Sequence, residues 1–579
     1  MPRTVIFNDF KSVRPLLNRF RRSEYQIWNA NLHHGDVRPF ACPEEICQDA
    51  NEYVQLYPLL ECECLGFSYF ADPIQGFCKD QHFYLSEDGF LHQATVNELC
   101  NGLPTCRAGA PIPSPISVNG NCSNGDCDAV GYSYVRTYVT EHAGIQVEGP
   151  PSEVTSIVAG GGIPSAGLSW SAPPSDYCIV ATRIYRTEST FEDGTTAPSP
   201  EGAEYLLIGQ FDATAGSFTD NVLTEDTKYP LTTYEPMNFP APGNLVSLTR
   251  TKDGIAVADD CRVYISVAGQ PQFGYDAVVE IEEGQIQAIE AIGNTIFVFT
   301  DGYHVKLRYS HTQNIMTIDK DVIRRKIPLR SRKSLSVYDT RVYFSSTYSL
   351  YTWDTGAHGS DIQAELPHAL ISPEQWKNLD PDTITGTGYE FGYMFSSDSI
   401  DYSIMLEFDG QRVDTINRTS FMPIDYINAN VFNVNEDGII TYQENGTHYT
   451  WDWRTCDCQF NIHDNTHTNF CDKCCPWFVS LFFDNKGKNR FSKMRVDFDQ
   501  CSTDKIDAKF YLADFCEKDL IDEFEIVRSR GFSIPKYCSA QQFCVELTSC
   551  GIMTEVRLAT SNQELVSNSN QLIENGDAV

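Results

Sequence analysis

An all-β chain is predicted, a β-propeller with an inserted β-sandwich, and three observations predict it. The first is composition: 579 residues with 41% apolar content leave room for several packed cores at about 150 residues per domain. The second is alternation. From about residue 128 onward, short apolar/polar runs are separated by Gly, Pro, Ser and Asp, the mark of strands joined by tight turns. The third is a recurring ending, Tyr351-Thr352-Trp353-Asp354, Leu406-Glu407-Phe408-Asp409 and Tyr449-Thr450-Trp451-Asp452. These endings start 55 (406 − 351) and 43 (449 − 406) residues apart, a spacing that suits blades of about 40–50 residues. Radial repetition also hides sheet edges that would otherwise invite aggregation.

The elements follow in order. Residues 1–22 hold six basic side chains (Arg3, Lys11, Arg14, Arg19, Arg21, Arg22) against Asp9, and Pro15 interrupts any helix there. This stretch suits either an arm that docks on an acidic partner or a solvated terminus. Residues 1–127 form a Cys-rich segment. Residues 128–235 read as a small β-sandwich, with strands in GYSYVRTYVTEH, CIVATRIYRTES and EYLLIGQFDA and a turn at Gly149-Pro150-Pro151. Residues 236–475 carry the blade-like strand pairs, and 476–579 are again alternating, ending in a polar tail.

Charge bounds the function. The chain carries 43 basic and 78 acidic residues, a net of −35. Binding nucleic acid by counterion release needs clustered Lys and Arg, so an acidic surface of this kind is unsuited to holding DNA. No run of about 18 apolar residues predicts a membrane span, and the start has no apolar block of a secretory signal, so synthesis in the cytoplasm is expected.

The 21 cysteines divide the chain: nine lie between Cys42 and Cys127, ten between Cys456 and Cys550, and none between 262 and 455. An odd number precludes complete internal pairing. The densest set, Cys456, Cys458, His463, His467, Cys471, Cys474 and Cys475, offers zinc its usual thiolate and imidazole ligands, with disulfides or buried thiols as the alternatives. Otherwise no cofactor is expected. The N-terminal set fits no standard metal framework, which favours disulfides or free thiols. Arg324, Arg325, Lys326, Arg330, Arg332 and Lys333 put six basic residues in ten, on a loop marked by Pro328. This loop suits a salt-bridged contact with another protein surface, with a solvated loop as the alternative. Enzyme signals are weak: Gly160-Gly161-Gly162 lacks the Lys-Ser/Thr of a phosphate loop, Gly386-x-Gly388 lacks a following helix, and no Gly-x-Ser-x-Gly elbow occurs. Acid pairs such as Asp259-Asp260 and Glu282-Glu283 are expected by number alone in so acidic a chain. No catalytic residue is assigned, and the chain is expected not to be an enzyme.

Two resemblances sharpen this reading. Tyr132-x-Tyr134-Val135-x-Thr137-Tyr138-Val139-Thr140 with Gly149-Pro150-Pro151-Ser152, followed by Arg183-Ile184-Tyr185-Arg186-Thr187, resembles the fibronectin-III-like modules inserted into bacteriophage tail proteins. Cys261-Arg262-Val263-Tyr264-Ile265-Ser266, Ile296-Phe297-Val298-Phe299-Thr300-Asp301-Gly302-Tyr303 and Arg341-Val342-Tyr343-Phe344-Ser345-Ser346 resemble the tail nozzle (tail tubular, or stabilisation) proteins of short-tailed bacteriophages. So does the ending Val556-Arg557-Leu558-Ala559-Thr560-Ser561. The match covers roughly 236–565. It implies a virion protein assembled in the host cytoplasm as a homo-hexameric ring at the end of the tail. N- and C-terminal segments would form a platform docked on the tail adaptor protein, with tail fibres nearby and genomic DNA passing an acidic lumen without specific binding. The alternatives are a receptor-binding tail adhesin, which the inserted module would serve, and a propeller-type polysaccharide depolymerase, which would need two carboxylates about 5–10 Å apart across a cleft.

Overall fold

The computed structural model describes most of 76–119, 129–160, 165–189, 203–233, 239–355, 371–407 and 420–452. In the terminal segments it describes strands within 4–48 and 477–559. The fold is all-β, as expected. The chain divides into two compact units, one of residues 59–328 with 358–360, the other of 1–58, 329–357 and 361–579.

The 59–328 unit contains three four-stranded antiparallel blades and the sandwich. The first blade runs through Gly76–Lys79, His82–Glu87, Phe90–Thr95 and Cys106–Arg107, in that order across the sheet. Its central hairpin turns on Asp88-Gly89, both at positive φ (51° and 75°), as a two-residue turn between twisted strands requires. The second blade is Ser247–Arg250, Ile255–Ala258, Arg262–Ser266 and Phe273–Glu280; the third is Ile286–Ile292, Thr295–Thr300, Val305–Thr312 and Ile315–Val322. Ile296, Phe297, Val298 and Phe299 are all buried, because an inner blade strand is covered on both faces. Tyr84, Leu91, Leu248, Val257 and Phe273 form one core between the first and second blades, and Val263, Ile265, Ile289, Ile296 and Leu307 form another between the second and third.

The sandwich is inserted between the first two blades. One sheet pairs Ser117–Asn119, Ala166–Ser169 and Ser217–Asp220. The other is built on the 14-residue strand Ala129–His142 and the 11-residue strand Ile179–Ser189. Ile116, Tyr132, Tyr134, Leu168, Trp170 and Ile184 fill the space between them.

The second unit holds three more blades of the same order. They begin at Ser336–Tyr338, Thr385–Tyr389 and Val431–Val434. The recurring endings meet third strands, Leu350–Asp354, Ser403–Glu407 and Thr447–Trp451, though Phe408 and Asp409 of the second lie outside the described residues. Trp353 and Trp451 have no solvent exposure, so in these two blades the phrase marks where the blade meets its core. The last blade takes its fourth strand from the start of the chain, Glu44–Gln48 beside Thr447–Trp451. Gly386, considered above for a phosphate loop, sits mid-strand, where an added Cβ would come within 2.5 Å of the Tyr393 hydroxyl and 2.6 Å of the Met394 carbonyl. It is there for close packing.

Terminal segments share two further sheets. Thr4–Phe7 pairs with Met553–Ala559, and Tyr25–Trp28 pairs with Trp477–Asp484. These two sheets join N- and C-terminal segments, and the first of them includes Thr4–Phe7 from the basic stretch.

Candidate functional site

Within the 59–328 unit a set of polar contacts joins the first blade to the sandwich. Thr95 ends the blade's third strand and caps the short helix Val96–Cys100: its hydroxyl accepts from the Glu98 N–H (3.1 Å), while Glu98 Oε2 accepts from the Thr95 N–H (2.6 Å). This reciprocal capping box leaves the Glu98 carboxylate facing the sandwich. There His142, at the end of the 14-residue strand, donates from Nε2 to Glu98 at 2.8 Å. The other ring nitrogen of His142 lies 3.1 Å from Nδ1 of His82, on the blade's second strand. Both imidazoles are buried, 5% and 7% exposed. Burial works against the charge on Glu98, yet the Thr95 N–H, the His142 ring and the Thr95 hydroxyl together hold its carboxyl below the ordinary range. His82, His142, Tyr84, Gln93 and Thr140 line a small cleft that opens to solvent.

A second contact lies at the blade's last strand. Cys106 is disulfide-bonded to Cys178, with Cα atoms 5.8 Å apart and a sequence separation of 72. The neighbouring Arg107 pairs with Asp176 at 3.0 Å and lays its guanidinium over the Phe90 ring, 3.6 Å from the centroid. Its backbone N–H donates to the Asp176 carbonyl at 2.8 Å.

The strap between blade and sandwich is a third. Gly109 has φ +82°, and an added Cβ there would come within 2.8 Å of the Pro271 carbonyl. At Ser114 the strap is held by the buried Arg136, which donates to the Ser114 and Ser171 carbonyls (2.7 and 3.1 Å) and to both hydroxyls (2.6 and 3.2 Å). Burial pulls the Arg136 pKa down, with Tyr138 opposing it. The sandwich is thus fastened by a covalent bond, an ion pair and two buried hydrogen-bonded groups.

The residues singled out from sequence fare differently. Cys456, Cys458, His463, His467, Cys471, Cys474 and Cys475 all lie outside the described residues. Among the described residues no group of three His, Cys, Asp or Glu is placed to hold a metal ion. Of the N-terminal cysteines, Cys106 forms a disulfide, and its partner is Cys178 rather than another member of that set. In the basic decade, Arg324, Arg325 and Lys326 are exposed, and Arg330 pairs with Asp382 at 3.5 Å. Asp259 accepts from the N–H groups of Cys261 and Arg262 and from the Tyr264 hydroxyl, and Glu283 pairs with Lys320 at 2.7 Å, so each holds a turn together. The blade–sandwich joint itself was not read from sequence. Only its capping box, Thr95-Val96-Asn97-Glu98, is a local signal that could have been found.

No family model matches the chain, and no curated protein matches it. Among solved structures it is similar to apo AztD from Citrobacter koseri, at 8% identity over 50% of this chain and 70% of that one, with a TM-score of 0.18. A glycoside hydrolase is similar at 10% identity, 66% and 94% coverage and a TM-score of 0.17. An exo-β-1,3-galactanase from Phanerochaete chrysosporium, solved with galactose, is similar at 6% identity, 66% and 93% coverage and a TM-score of 0.19. The expectation that the chain is no enzyme is corrected on this finding, since glycoside hydrolases stand among its neighbours. At such TM-scores the likeness assigns it no reaction, and the tail-nozzle resemblance receives nothing from it.

Proposed function

We propose that the chain is a ring-forming virion protein, the nozzle of a short-tailed phage tail, which docks on an adaptor through its terminal segments and conducts DNA. The observation that carries this reading is the interleaving of the two chain ends. Thr4–Phe7 and Tyr25–Trp28 enter sheets otherwise made from residues 477–559, which builds a body distinct from the blades. The net charge of −35 supports it in a second way. Six copies would carry −210 (6 × −35), and acids at a channel wall within about 8 Å, the Debye length at physiological salt, would deny DNA phosphates the ion pairs that make binding tight. The disulfide-fastened sandwich supports a spacer or adhesion point held rigidly on the first blade.

Imaging the purified chain with its adaptor ring by negative stain tests this: a hollow sixfold ring is expected, and a trimeric spike or a lone monomer overturns it. The glycoside hydrolases among the neighbours keep a second reading beside it, a propeller-type polysaccharide depolymerase. Release of reducing sugar from host surface polysaccharide by the same preparation decides for that reading.

A further inference from the structure

We propose that Arg136, Ser114 and Ser171 form a binding site for a small oxyanion, a phosphate or carboxylate group, where the strap meets the sandwich. The starting observation is a charge without a counter-charge. Of the three arginines in residues 128–235, Arg183 has Glu148 and Arg186 has Asp220. Arg136, fully shielded from solvent, has two carbonyls and two hydroxyls instead. Burial works against its charge, and what opposes burial is the Tyr138 hydroxyl rather than a carboxylate. A buried cation held by neutral acceptors keeps its field, and an anion within reach completes it.

Counting donors shows where an anion enters. Nε and Nη1 of Arg136 donate to the Ser114 and Ser171 carbonyls, and the two Nη2 hydrogens go one to each serine hydroxyl, at 2.6 and 3.2 Å. The hydroxyl oxygens lie 2.7 Å from each other, so one O–H donates to the other. A hydroxyl has one hydrogen to give, and the second O–H is left with no acceptor on the protein. Both serines are exposed. The guanidinium charge thus reaches the surface through two polarised hydroxyls, one of them with its hydrogen free for a ligand. An incoming oxyanion takes that hydrogen first. By displacing the bond between the serines it takes the other as well, so that two oxygens of one carboxylate or phosphate meet a fork of two donors.

The two segments that supply the serines suit an anion. The chain has 78 acidic residues, yet neither 108–125 nor 154–175 contains one. A net charge of −35 repels anions from the molecule as a whole, and these segments add nothing to that repulsion. Ile112, Pro115 and Ala172, all exposed, flank the serines in sequence with apolar surface. Ser152, a third serine bonded to Arg136, is already engaged: it accepts from the Arg136 backbone N–H and donates to the Glu153 carbonyl. The site requires neither a ring nor a channel, so it stands apart from the nozzle reading.

Hydrogen exchange of the full chain at about pH 7.5, followed by mass spectrometry in sodium phosphate or sodium acetate against sodium chloride of equal ionic strength, tests the site. In about 20 mM phosphate or acetate, amides of 111–118 and 167–173 should exchange at least about threefold slower than in chloride, the factor 1 + [L]/Kd for a Kd of about 10 mM. The blade strands Thr385–Tyr389 and Gly392–Ser396 should hold steady. The anion that slows exchange more names the ligand group, phosphate for a phosphoryl group and acetate for a carboxylate. Ser114→Ala combined with Ser171→Ala removes both hydroxyls but leaves their carbonyls to Arg136, and it should abolish the slowing. No slowing by either anion in the unaltered protein, the same slowing in the double variant, or equal slowing in the reference strands each overturns the proposal. The unaltered chain decides alone should the double variant not fold.

Discussion

Asp220 has no exposure to solvent and serves three partners at once: Arg186 at 2.7 Å, the Tyr134 hydroxyl at 2.9 Å and the Val222 N–H at 3.0 Å. Burial first and the Asp220 charge second push the Tyr134 hydroxyl far above its ordinary range, which keeps it a donor. Asp220→Ala strands the Arg186 charge in the sandwich core, a change that costs about 3–5 kcal/mol. Urea unfolding followed by Trp170 fluorescence measures it, and a loss below about 1 kcal/mol would mean the core re-solvates Arg186. His304 is a different buried group. Its Nδ1 accepts from the Thr300 N–H at 3.1 Å, and burial lowers its pKa to about 4, with the Ile327 backbone offsetting part of the shift. Between that value and the ordinary 6.5, the unfolded chain binds a proton that the folded chain refuses. Stability from this site is therefore complete above about pH 6.5, falls by about 3 kcal/mol as the pH drops toward 4, and levels off below. His304→Gln should flatten that slope in midpoints measured at about pH 7 and about pH 4.5.

At the scale of elements, the Cys106–Cys178 bond closes a 72-residue separation that spans the strap and half the sandwich. Its loss in Cys178→Ala should cost about 2–4 kcal/mol, read as a lower thermal midpoint. Trp451→Ala removes the anchor of the last blade's third strand and should cost about 3–5 kcal/mol in the same measurement. Trp451 also shows what the sequence carries. An aromatic before Asp at the end of an alternating run is a local pattern, and at Trp353 and Trp451 it sits on third strands because a blade's core contact recurs at one place in the repeat. The strands at 76–107 were legible only as part of a Cys-rich segment, since they are short and interrupted by Cys78, Cys100 and Cys106. The joint was hidden for another reason. His82, Glu98 and His142 lie 16 (98 − 82) and 44 (142 − 98) residues apart on three elements, and only the pairing of the strands brings them together. Pairing of Cys106 with Cys178 was equally beyond reach, because spacing never determines connectivity.

At the scale of the whole molecule, the acid excess bears on assembly as well as on DNA. If six copies gather, their like charges oppose the ring, and added salt should screen that opposition. Light scattering should therefore show a larger ringed fraction at about 0.15 M salt than at about 0.02 M, and the reverse order would mean that opposite charges across the interface hold the ring. A last consequence concerns synthesis. Glu44–Gln48 leaves the ribosome well before its hydrogen-bonding partner Thr447–Trp451, which begins 399 residues later (447 − 48). At about 5–20 residues per second, that strand waits roughly 20–80 s for its place. Among the described blades, the one it completes is thus the last to close, and the moment of its closure registers that translation has passed through the others.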